Sequence, residues 1–121
     1  MAVEAPQAHP RADAYGTTLS FTLNGEAVRI ENPDPTTSLV DYLRSPAVGL
    51  TGTKLVCGEG GCGACTVLIT RTDPNTTQVV ERAVNACLHP LCSLDGVQVT
   101  TIEATGSSRT GLSPVQKAMV T

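Results

Sequence analysis

Apolar and polar residues alternate through Leu19, Phe21 and Leu23, and again through Val28 and Ile30, which predicts two short strands with one buried face each. Asn24-Gly25 lies between them, and both residues tolerate the positive φ of a two-residue hairpin turn. Asn32-Pro33-Asp34-Pro35 stops the sheet, because proline has no N–H for a ladder. The period then changes. Ser38-Leu39-Val40-Asp41 reads as a capping box opening a short helix whose Leu39, Tyr42 and Leu43 fall on one side, and Pro46 ends it nearby. That stripe is a core-packing face. Further on, Thr66 to Arg71 is β-branched and aliphatic, Asp73-Pro74-Asn75 turns the chain, and Gln78 to Ala86 holds a second β-rich run. Val97, Val99 and Thr101 alternate after an Asp95-Gly96 turn. Hairpin, helix and then further strands is an α+β order, with a mixed sheet packed against one main helix. Periodicity does not say which strands pair, and no internal repeat is visible.

Composition narrows the picture. The 121 residues are 40% apolar with a formal charge of −3, which bounds the chain to one small soluble domain. Tyr15, Phe21 and Tyr42 are its only aromatics, so the core is aliphatic and modest, and a domain of this size leans on a staple. Mild acidity without a basic patch argues against nucleic acid. No apolar run approaches the roughly 18 residues of a membrane span. Residues 1–16, rich in Ala and Pro with His9, Arg11 and Asp13, lack periodicity and an apolar signal region, and they read as a disordered arm. The cytoplasm is the expected location.

The chemistry is concentrated in Cys57-Gly58-Glu59-Gly60-Gly61-Cys62-Gly63-Ala64-Cys65, with Cys87 further on. This C-x4-C-x2-C…C spacing is that of plant-type [2Fe-2S] ferredoxins, and it points to one-electron transfer. Three thiolates from nine consecutive residues converge on one small object only if the backbone wraps around it, and a distant fourth must close the far side. Gly58, Gly60, Gly61 and Gly63 suit such a loop: glycine takes positive φ and lets amide N–H groups approach an anionic cluster. By counting alone the fourth ligand is Cys87 or Cys92. Structural zinc is the alternative, but it favours two separated pairs of ligands over three clustered and one remote. Five cysteines without a secretory signal argue against a disulfide framework. A Rieske centre needs two histidines, and His89 near Cys87 has only His9 to join it. Lys54 and Glu59 read as solvated charges. No Ser/His/Asp set, paired carboxylates or phosphate-binding loop is present; the glycine run lacks the Lys-Ser or Lys-Thr of a P-loop.

The stretch from Gly52 to Val67, followed by Val84-Asn85-Ala86-Cys87-Leu88 and Val99-Thr100-Thr101-Ile102-Glu103, resembles the N-terminal domain of xanthine dehydrogenases and aldehyde oxidases. The likeness runs from about Leu19 to about Met119. It implies a β-grasp, ferredoxin-like fold over residues 17–104 carrying one [2Fe-2S] cluster on Cys57, Cys62, Cys65 and Cys87, with Cys92 left as a small buried hydrophobe.

Gly106-Ser107-Ser108-Arg109-Thr110-Gly111 reads as a flexible linker, and Ser113-Pro114-Val115-Gln116 as a helix start. Residues 105–121 are thus expected to lead into a further domain and to be cut off within its first helix. In the resembled family that domain holds a second [2Fe-2S] cluster, and flavin (FAD) and molybdopterin domains follow. The resemblance therefore implies an oxidoreductase module that relays single electrons to and from these partner domains or subunits, with no substrate chemistry and no catalytic residue within this chain. The alternatives are a free-standing ferredoxin and an inactive fragment.

Overall fold

The computed structural model describes residues 16–120, so apart from Gly16 the arm expected at the N-terminus lies outside the described residues. Strands β1 (Thr18–Leu23) and β2 (Glu26–Glu31) form the expected hairpin, with Phe21 opposite Val28. Asn24 and Gly25 turn it at φ of 50° and 85°. The turn twists in the same sense as its strands, which is why this dipeptide is favoured there.

Helix α1 (Leu39–Arg44) follows, its first turn capped by the Ser38 hydroxyl, which accepts from the Asp41 N–H at 3.3 Å. It ends before Pro46, as expected, but its buried face is Leu39, Val40 and Leu43. At about 100° per residue these three share one arc of the helix, which leaves Tyr42 at its margin. The Tyr42 ring instead meets Phe21 edge to face, with centroids 5.9 Å apart.

Strands β3 (Thr66–Thr72), β4 (Val79–Asn85) and β5 (Gln98–Thr100) complete one five-stranded mixed sheet in the order β2-β1-β5-β3-β4. β5 lies parallel to β1 and antiparallel to β3. It has only three residues, yet it joins the two hairpins, and its central Val99 is buried together with the flanking Val97 and Thr101. Leu19, Phe21, Leu23, Val67 and Ile69 add to that core from the sheet, and Leu39, Val40 and Leu43 from α1. A mixed sheet packed on one main helix is the β-grasp arrangement that the sequence implied.

Three local elements differ from expectation. A short 3-10 helix (Leu91–Leu94) buries Leu91 and Leu94, and helix α2 (Ile102–Thr105) follows β5 directly. The supposed linker folds back on itself: Ser107 and Gly111 exchange backbone hydrogen bonds of 3.1 and 2.8 Å, while the Ser107 hydroxyl accepts from the N–H groups of Arg109 and Thr110. Serine and threonine side chains can close such turns on their own backbone, which a reading of glycine content overlooks. Helix α3 (Pro114–Val120) has a complete capping box, with Gln116 N–H on the Ser113 hydroxyl and Ser113 N–H on the Gln116 side chain. No helix among the described residues is long and apolar enough to cross a membrane.

Candidate metal centre

The cysteine loop hangs between α1 and β3 and is fastened at both limbs. On the entering limb, the Arg44 guanidinium from the last turn of α1 donates to the carbonyls of Thr51 and Thr53 at 2.8 and 3.1 Å. The neck is closed by Lys54 N–H on the Ala64 carbonyl at 3.1 Å. On the leaving limb Cys65 is buried at the start of β3, and its carbonyl accepts from Ala86 N–H at the end of β4. That pairing carries Cys87, the next residue, to the loop from 22 positions away.

Backbone N–H groups converge on the sulfurs. Cys57 Sγ accepts from Glu59, Gly61 and Cys62 at 3.3 to 3.5 Å, Cys62 Sγ from Ala64 at 3.5 Å, and Cys65 Sγ from Cys87 at 3.4 Å. The N–H groups of Glu59, Cys62 and Gly61, with the Cys62 thiol, bring the Cys57 thiol down to about 6. Burial pushes the Cys87 thiol up, its contact with Cys65 and the charges at Cys65 and Cys57 push it further, and the Gly60 N–H opposes them. Backbone-to-sulfur bonds thus join the cysteines two by two, Cys62 N–H on Cys57 Sγ and Cys87 N–H on Cys65 Sγ. Among the described residues no three His, Cys, Asp or Glu side chains are grouped around a single metal ion.

This donor set fits an iron–sulfur cluster: soft thiols inside a ring of amide donors suited to an anion. The glycines serve the loop in two ways. Gly61 donates its N–H to Cys57 Sγ at 3.3 Å. Gly58 and Gly63 instead turn the chain, at φ of 68° and 73°. Gly60 is constrained by a φ of 77°, and an added Cβ would also displace the exposed Leu88 side chain, whose Cδ1 would lie 2.6 Å from it. Asn85 holds the Gly60 carbonyl at 3.2 Å. Gly61 faces open space.

Residues 21–92 match the family model described as the 2Fe-2S iron-sulfur cluster binding domain. The chain belongs to this family. As a 2Fe-2S domain it is 53% identical over 103 residues to a xanthine dehydrogenase of Calliphora vicina and 50% identical over 101 residues to aldehyde oxidase 4 of Cavia porcellus. These matches cover 85% and 84% of this chain but 8% of either relative, so the chain spans a small part of their length. Among solved structures it is similar to the aldehyde oxidoreductase of Desulfovibrio gigas, with a TM-score of 0.68 and 36% identity over 85% of this chain and 10% of that one. Quinoline 2-oxidoreductase of Pseudomonas putida 86 matches with a TM-score of 0.64 and 31% identity, over 85% of this chain and 56% of that one.

Cys92 departs from its expected place. It is exposed on the 3-10 helix, its sulfur 3.8 Å from the Asp34 carbonyl, because Leu91 and Leu94 take the buried side of that short turn. His89 is half-buried with Nε2 3.0 Å from the Ser93 hydroxyl. Sequence reasoning missed Arg44, Asn85 and Glu103 around this 2Fe-2S domain's loop. Only the likeness of the Asn85-Ala86-Cys87 and Thr100-Thr101-Ile102-Glu103 stretches carried a signal for two of them, and Arg44 looked like an ordinary basic residue at a helix C-terminus.

Proposed function

We propose that Cys57, Cys62, Cys65 and Cys87 hold one [2Fe-2S] cluster and that the domain relays single electrons as a module of a molybdenum- and flavin-containing hydroxylase of the xanthine dehydrogenase and aldehyde oxidase type. The observation that supports the ligand set is the convergence of backbone N–H groups on the sulfurs of Cys57, Cys62 and Cys65, the donor to Cys65 being the N–H of Cys87. A bound cluster supplies a site that gains and loses one electron. The chain's own part is to hold four deprotonated thiols, to direct amide dipoles at their sulfurs and to keep the loop from rearranging. Amide donors of this kind stabilise added negative charge and so raise the ease of reduction.

Two exposed apolar groups support a module that works against neighbouring domains or subunits. Leu55, Val56 and Leu88 border the cysteine loop, and Val115, Met119 and Val120 lie along α3. Apolar clusters of this kind on a small domain mark contact surfaces. Hydroxylation of a substrate requires those other parts. Anaerobic purification tests the reading: two irons and two sulfides per chain, visible absorption, and a paramagnetic signal on dithionite reduction are expected. A colourless chain after reconstitution overturns it. For the relay, the chain joined to the rest of such an enzyme is expected to pass electrons between the molybdenum and flavin parts, and reduction of neither would refute that role.

A further inference from the structure

The limb that enters the cysteine loop is gripped from two sides. Across the trans peptide unit that joins them, the carbonyl of residue 51 and the N–H of residue 52 point opposite ways. Arg44 takes the first side, through the Thr51 and Thr53 carbonyls. Glu103 takes the second: its Oε1 accepts the Gly52 N–H at 2.6 Å, while its Oε2 accepts the Thr101 hydroxyl at 2.5 Å. Thr101 is 2% exposed and is itself anchored to the hairpin turn, where Asn24 accepts its N–H at 2.8 Å and donates to its hydroxyl at 2.9 Å. The approach at Gly52 is close enough that a Cβ there would collide with Glu103 Oε1 and Ile102 Cγ2. Burial pushes the Glu103 carboxyl up, but donors at Thr101, Glu103 itself and Gly52, with Lys54 nearby, outweigh it and hold it below the usual carboxylate range.

We propose that Glu103 is a positioning residue for the cluster site, clamping the entering limb at Gly52 to the β1–β2 turn through Thr101 and thereby setting where Cys57 stands relative to the other three thiols. The ordinary role of an acid in the first turn of a helix, favourable interaction with the helix dipole, accounts for a carboxylate on α2. It does not account for a glycine five residues before Cys57 that leaves room for that carboxylate and donates to it. The inference rests on the cluster reading above for its consequence, and on the hydrogen bonds alone for the clamp.

The test compares the full chain with Glu103→Ala and Glu103→Gln. Hydrogen–deuterium exchange followed by mass spectrometry is expected to show peptides spanning residues 51–56 exchanging about tenfold faster in Glu103→Ala, since a charged acceptor is lost, while strands β1 and β3 stay unchanged. Glu103→Gln keeps an oxygen for the Gly52 N–H and is expected to stay near wild type. Iron loss to a chelator is expected to accelerate by a similar factor in Glu103→Ala alone. Unchanged exchange in that limb overturns the clamp, and so does exchange that rises equally through the whole sheet, which would mean that Glu103 only supports the fold. Iron release as slow in Glu103→Ala as in wild type overturns its role at the site. Exchange reads the clamp whether or not iron is bound, so a wild-type chain that takes up no iron would sink the cofactor reading while the clamp is still scored.

Discussion

The sheet and the cysteine loop are held in contrasting ways. In the sheet, specificity comes from alternation: Leu19, Phe21 and Leu23 face inward, as do Val67 and Ile69, and any aliphatic group of similar volume in those positions serves the same end. From Cys57 to Cys65 the loop gives the core only Cys65, and order comes from individual hydrogen bonds to named partners, such as Arg44 on Thr51 or Asn85 on Gly60. The lesson is that the sheet is robust to detail while the loop is not. Its conformation depends on positive φ at Gly58, Gly60 and Gly63 and on donors that have no substitute.

The largest effects should separate the two regions outright. Cys57→Ser and Cys87→Ser are expected to abolish the native visible absorption while far-ultraviolet dichroism retains the sheet, whereas Cys92→Ser keeps both. Loss of absorption in Cys92→Ser but not in Cys87→Ser would reassign the fourth ligand. In the core, Leu94→Ala removes a side chain that is 0% exposed and is expected to cost about 3 kcal/mol in denaturant unfolding. A cost below about 1 kcal/mol would mean that the 3-10 helix contributes little to the fold.

Within the loop, the glycines divide sharply. Gly60→Val meets both an unfavourable φ and Leu88, and is expected to lower iron per chain severely. Gly61→Ala keeps its N–H, enters open space and is expected to retain full iron. Equal iron content in the two variants would refute the division.

The smallest effect is electrostatic. A carboxyl held low in the folded state stabilises above the ordinary glutamate value of about 4.3, and that stability disappears as pH falls through the folded value. The stability advantage of wild type over Glu103→Gln is therefore expected at neutral pH and to vanish as the medium is acidified below about pH 4. An advantage that grows with acidity would contradict the depressed carboxyl.

Much of the fold was legible along the chain. The hairpin at Asn24-Gly25, the helix beginning after Ser38 and the two strands flanking Asp73-Pro74-Asn75 are all where alternation and turn chemistry put them, because those signals are local. Less legible were Val40 in place of Tyr42 on the buried side of α1, the 3-10 helix that exposes Cys92, and the ordered turn from Ser107 to Gly111. Each depends on which neighbour competes for a face or a hydrogen bond, and a neighbour in space leaves no period in the sequence.

The sequence by itself determined the chemistry: cysteines spaced for a wrapped loop, glycines able to turn it, and alternating strands to carry it. Tertiary structure decided the rest. The bond from Cys87 N–H to Cys65 Sγ, the parallel placement of β5 beside β1, and the meeting of Glu103 with Gly52 each join residues far apart in the chain. Such contacts follow from how a common core closes, since burial rewards apolar area without regard to sequence distance, and only that closure brings their partners within hydrogen-bonding range.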